Sequence, residues 1–157
     1  MNLRKTFFQS TYANPVERFL LFYVAYSAML YRKPEVFMNS LSIYGVDTAL
    51  GVQQTGGNLS LYIHFLQQFL LDDTFIKLGC ALTECDAQKA FLHAHTLKGL
   101  TSQFGMTALS APCHAICELL RRPRPENLNQ AQEIYQSALP IYRRITEDIR
   151  ALSELHL

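Results

Sequence analysis

The residues best suited to chemistry stand in the stretch Phe91-Leu92-His93-Ala94-His95-Thr96-Leu97-Lys98-Gly99. On a helical wheel at about 100° per residue, Ala90, Leu97, Leu100 and Phe104 fall within roughly 40° of the pole opposite His95. The spacing predicts that these four face a core and that His95 faces solvent. Lys98 and Gly99, three and four residues on, flank the imidazole one turn up. Ser102 continues the exposed strip, Gln103 lies at its edge, and Phe91 sits one turn below. An imidazole is largely neutral near pH 7, so a ring nitrogen is a nucleophile that needs no activating base. A phosphoryl group placed on it brings negative charge, which the movable ammonium of Lys98 can meet. Gly99 removes the side chain that would crowd an approaching partner. Glycine costs about 1 kcal/mol in an exposed helix, so its presence here asks for a reason such as close approach.

Such a helix needs neighbours to hold it. Asn58 follows two glycines and is a fair N-cap for a helix. Its apolar residues Leu59, Tyr62, Ile63, Leu66, Phe69 and Leu70 recur at helical spacing, and the pattern continues through Phe75 and Ile76 to about Leu82. Asp86 caps the helix of His95, and Gly105 ends it. A third helix is expected between about Thr107 and Arg122 on Leu109, Cys113, Ile116, Cys117 and Leu120. Pro112 lies early in it, which puts the regular part from Ser110 or Ala111 onward, and Pro123 and Pro125 close it. A fourth spans about Asn127 to Leu155, with Pro140 inside as a kink or break. No strand-period stretch competes. Short links between amphipathic helices favour antiparallel neighbours. The expected fold is all-α, an antiparallel four-helix bundle with one or two additional amino-terminal helices.

Composition bounds the remaining classes. The chain has 157 residues, 49% of them apolar and 17% charged, which fits one domain with a sizeable core. Fourteen Lys and Arg against thirteen Asp and Glu give a net charge of +1, so no basic excess argues for nucleic acid. Cys80, Cys85, Cys113 and Cys117 form no C-x-x-C pair and are too few for a disulfide scaffold; they fit a reducing cytoplasm. The most apolar run, Phe19 to Leu30, is shorter than the about 20 residues of a membrane span, and its position and flanks do not suit a signal peptide. It reads as an amphipathic packing helix. Composition changes near Arg32-Lys33-Pro34, which divides the chain into an aromatic-rich extension, 1–37, and a bundle domain, 38–157. Met38 could itself serve as a translation start. There is no nucleotide-binding glycine box, no phosphate-cradling loop and no set of receiver aspartates.

The run Ala94-His95-Thr96-Leu97-Lys98-Gly99, followed by Gln103-Phe104-Gly105, resembles the signature of histidine-containing phosphotransfer (HPt) domains. Upstream, Tyr44-Gly45-Val46-Asp47-Thr48-Ala49-Leu50 and Gly57-Asn58-Leu59-Ser60-Leu61-Tyr62 resemble the leader of that family. The resemblance covers about residues 42 to 155. It implies a phosphorelay intermediate that takes a phosphoryl group from a receiver aspartate or a histidine kinase and passes it to a receiver domain. On that likeness His95 is the phosphoacceptor, Lys98 the charge-compensating lysine and Gly99 the small neighbour. Gln103, with Ser102, is a candidate for lining the site, and Phe91 with Leu92 is a candidate docking surface. The likeness also implies that the receiver brings the carboxylates and Mg²⁺, so this chain needs no cofactor. His93 departs from the pattern, because the family usually has a small or apolar residue there. By the wheel it lies on the core side.

Two other readings compete. One is an interaction domain of the same fold in which His95 is never phosphorylated. The other is a metal-binding bundle built on His93, His95 and the segment Cys113-His114-Ala115-Ile116-Cys117. Against the second, residues two apart on a helix face opposite sides, and no closed ligand set is visible. Cys113 and Cys117 lie in an apolar stripe and read as core thiols. His64, His114 and His156 read as surface or interfacial residues.

Overall fold

The computed structural model describes residue 38, residues 41–42 and residues 45–155. The amino-terminal extension, the Phe19–Leu30 run and His156 lie outside the described residues. The helices belong to the compact unit Leu41–Leu157. They are α1 (Thr48–Gln54), α2 (Leu59–Phe69), α3 (Thr74–Thr83), α4 (Ala87–Gln103), α5 (Thr107–Leu120) and α6 (Pro125–Leu155). The described residues contain no strand. Short turns join successive helices. α4 packs against α3 and α5, and α6 packs against α5, α3 and α2. The result is the antiparallel four-helix bundle with an additional amino-terminal helix, in which α2 and α3 together make the first member.

The core follows the apolar stripes. Leu66, Leu78, Leu97, Leu109, Ile116, Ile145 and Ile149 are fully buried. Phe75 stacks on Tyr142 at 4.1 Å between ring centroids and on Tyr135 at 4.9 Å, tying α3 to α6. Buried Tyr62 donates its hydroxyl to the Phe104 carbonyl at 2.8 Å, tying α2 to the end of α4. Such aromatic contacts contribute about 0.5–1.5 kcal/mol beyond the area they bury.

Three boundaries differ from expectation. The first helix does not run on to Leu82; it stops at Phe69 and restarts at Thr74. Asp72 accepts the Thr74 N–H at 2.9 Å, a local bond that competes with helix continuation. Asp73 then pairs with Lys77 at 2.8 Å in the new first turn. α5 starts at Thr107, as expected, but it is regular from there instead of only from Ser110 or Ala111, with Pro112 inside it. Its first turn is held from outside, because the Thr107 hydroxyl and the Ala108 N–H both donate to the Gly45 carbonyl. α6 opens at Pro125, two residues before Asn127, a first-turn position that suits proline. Pro140 lies within it, and the helix continues past it.

α6 also buries a carboxylate. Asp148 is 5% exposed, and its Oδ2 has no hydrogen-bond partner. Arg144 Nε stands 3.7 Å from Oδ1. Burial pushes this carboxyl up to about 7, against the opposing pull of the Arg144 guanidinium. A folded-state value above the ordinary 3.8 means that the unfolded chain releases this proton first. Stability contributed by the protonated form is therefore complete below about pH 4 and is lost as pH rises toward about 7. Asp148→Asn should raise stability at pH 8 by about 1–3 kcal/mol and leave it nearly unchanged at pH 4. Thermal melts of both proteins at the two pH values check this.

Candidate functional site

α4 is set in place at both ends. Asp86 accepts the Lys89 N–H at 3.0 Å as the N-cap and pairs with the Lys89 ammonium at 3.0 Å. The N–H bond, first, and the ammonium hold its carboxyl below the ordinary range. At the other end Gly105 takes a φ of +70° and turns the chain into α5. Between them Ala90, Ala94, Leu97 and Thr101 are buried. Thr101 stays in the helix because its hydroxyl donates to the Leu97 carbonyl at 2.7 Å.

This burial fixes the outer face. His95 is exposed, as are Thr96 and Gly99, while Lys98 is half-buried. The Lys98 ammonium enters no ion pair with the carboxylates of the described residues. Around the imidazole, half-buried Phe91 holds its ring 6.0 Å from that of His95, centroid to centroid, and Leu92 is 61% exposed. Sequence reasoning missed one neighbour. Cys117 of α5, fully buried, brings its Sγ to 3.8 Å from His95 Nδ1. Cys113, one turn before it, is buried as well, and desolvation pushes its thiol up to about 12. His95 Nε2 makes no hydrogen bond with the described residues.

The remaining candidates stand further off. Ser102 Oγ lies 2.8 Å from Ser110 Oγ on α5, and Gln103 is exposed at the end of α4. Both are about two turns, on the order of 10 Å, along the axis from His95. Neither side chain bonds to His95 or Lys98. His93 does not enter the core, as the wheel suggested. It is half-buried and lines a groove between α3 and α4 with Lys77, Cys80, Ala81, Glu84 and Lys89. A ring with an apolar body and a polar tip can cover a helix while its nitrogen reaches the rim. His64 and His114 are exposed. Among the described residues no three His, Cys, Asp or Glu side chains cluster to hold a metal ion. No helix of the described residues is long and apolar enough to cross a membrane.

Gly99 has open space where a side chain would stand: an added Cβ meets nothing within 4 Å. The bundle itself therefore gives no reason for glycine. Gly99→Ala should stabilise the free protein by about 1 kcal/mol. On the phosphotransfer role that the sequence resemblance implies, Gly99→Leu should keep most of that gain and yet lower phosphoryl transfer from a receiver at least tenfold. Melting curves and transfer rates on the same preparations test this; unimpaired transfer by the leucine variant would remove the close-approach role.

The arrangement is an accessible imidazole nitrogen with a cation one turn away, an open flank at Gly99 and an apolar rim of Phe91 and Leu92. It can accept an electrophile delivered by a partner. Comparison with protein families matches residues 64–155 to the Hpt domain. No curated protein and no solved structure matches the chain.

Proposed function

Because the chain belongs to the Hpt domain family, whose members carry phosphoryl groups on histidine in phosphorelays, we propose that it is a phosphoryl carrier of two-component signalling with His95 as the phosphorylated residue. The observation that carries this reading is the exposure of His95 on α4, with Nε2 unengaged and Lys98 and Gly99 one turn on. The donor is a phosphorylated receiver aspartate or a histidine kinase, and the acceptor is a receiver domain. In the transfer the Nε2 lone pair attacks the phosphorus of the aspartyl phosphate. The N–P bond forms as the P–O bond breaks, and the aspartate carboxylate leaves with the electron pair. Lys98 offers its ammonium to the phosphoryl oxygens, a charge-assisted contact. Phe91 and Leu92 give the receiver an apolar rim. Mg²⁺ and the acidic residues that hold it belong to the receiver.

Hpt domains are phosphocarriers rather than catalysts. On this proposal the protein neither hydrolyses ATP nor phosphorylates itself. Its proposed location is the cytoplasm, supported by four cysteines that form no disulfide. The experiment is incubation with a panel of phosphorylated receiver domains. Label should move to the protein and be acid-labile and base-stable, as an N–P bond requires. Receiver binding without transfer of label, unaffected by His95→Ala, would favour the interaction-domain reading instead.

A further inference from the structure

The nucleophile proposed above needs its lone pair on Nε2. A neutral imidazole carries one N–H, and the tautomer is set by what the other nitrogen meets. His95 is exposed and its Nε2 bonds to none of the described residues, so water can serve it as donor or acceptor and it imposes no choice. Nδ1 faces the bundle, where its bonding partner is the Cys117 sulfur at 3.8 Å. That sulfur is fully buried on α5 and sits one turn from buried Cys113. Sequence alone assigns Cys117 to the core, yet its Sγ is turned to the ring of an exposed residue on the neighbouring helix.

We infer that Cys117 is a positioning residue for phosphoryl transfer: its Sγ accepts the Nδ1–H of His95 and holds the ring in the tautomer whose lone pair projects outward from Nε2. This rests on the carrier reading of His95. When Nε2 takes the phosphoryl group, the ring keeps the Nδ1 proton and gains positive charge, and the sulfur lone pair faces that proton throughout. Thr96 donates to its own helix at the Leu92 carbonyl, and Ser102 pairs with Ser110, so neither competes for Nδ1. The Phe91 ring packs beside the imidazole, 6.0 Å away between centroids, and adds a second contact to that of the thiol.

The test reads the tautomer directly, in the unphosphorylated full chain. Nitrogen-15 chemical shifts of His95 above its titration should give a protonated Nδ1 and an unprotonated Nε2. Cys117→Ala should move these shifts toward the mixture of free imidazole and slow transfer from a receiver about three- to tenfold. Cys117→Ser, whose hydroxyl also accepts, should restore both. A dominant Nε2–H form in the unmutated protein would overturn the inference. So would shifts and rates unchanged in both variants, with melts showing them folded. If no receiver labels the unmutated protein while the shifts respond as stated, the carrier reading fails and the thiol contact stands.

Discussion

Replacing His95 with glutamine should abolish receipt of label from every phosphorylated receiver while leaving the thermal melt nearly unchanged. The side chain is exposed, and glutamine is a good helix former, so the cost to stability should stay within about 0.5 kcal/mol. The loss should be complete because no other histidine of the described residues has the same surroundings. His93 sits in a groove between two helices rather than on the open face. His64 is followed three and four residues on by Gln67 and Gln68, and His114 by Cys117 and Glu118. Neither has a cation one turn away to meet a phosphoryl group. Label retained at full level in His95→Gln would remove His95 from the role.

A second large effect lies at the turn that ends α4. Gly105→Ala should lower the melting temperature by roughly 10–20 °C, about 3–4 kcal/mol for a unit of this size. Two terms add. The first is the left-handed conformation, φ +70°, which costs a residue bearing Cβ about 1–2 kcal/mol. It serves the cap: the Met106 N–H reaches back to the Thr101 carbonyl at 2.8 Å, and the Gly105 N–H to that of Ser102 at 3.2 Å. The second is collision, because a Cβ here would press into the Asp47 carbonyl oxygen, a backbone atom that cannot swing away. Asp47 is itself bound at this point, its N–H donating to the Gly105 carbonyl at 2.6 Å. Gly57→Ala is the internal comparison. Its φ is also positive, at +81°, but nothing lies within 4 Å of an added Cβ, so it should lose only the first term. Equal effects at the two positions would mean that the contact at Asp47 does not matter.

The outer face of α4 was legible in the sequence because burial on a regular helix follows angle. Ala90, Ala94 and Leu97 are buried, and that fixes His95 and Gly99 outside. The bundle was legible for the same reason, since Leu66, Ile116 and Ile145 recur on apolar stripes. The break between α2 and α3 was not. The apolar period carries on from Phe69 and Leu70 to Phe75 and Ile76, while the backbone tightens into i→i+3 turns at Leu70, Leu71 and Asp72 and a polar bond from Thr74 to Asp72 starts the next helix, neither of which periodicity sees. The Asp72-Asp73-Thr74 cluster was the available signal, as a cap for a new start. α1 is only 7 residues long, too short for a helical period to emerge. Pro112 predicts a delayed regular part for α5, yet bonds to the distant Gly45 carbonyl hold the turn before it. The contact of Cys117 with His95 was hidden for a related reason. A thiol in an apolar stripe looks the same whether its sulfur meets a leucine or an imidazole, and which it meets is decided by how α5 lies against α4.

Mapping the phosphorylated residue decides whether His95 is the carrier. The full chain is phosphorylated by a receiver, digested under basic conditions that preserve N–P bonds, and its peptides are sequenced by mass spectrometry. The phosphoryl group should be found on His95 and on no other residue; a phosphoryl group on another side chain, with His95 unmodified, would remove His95 as the carrier.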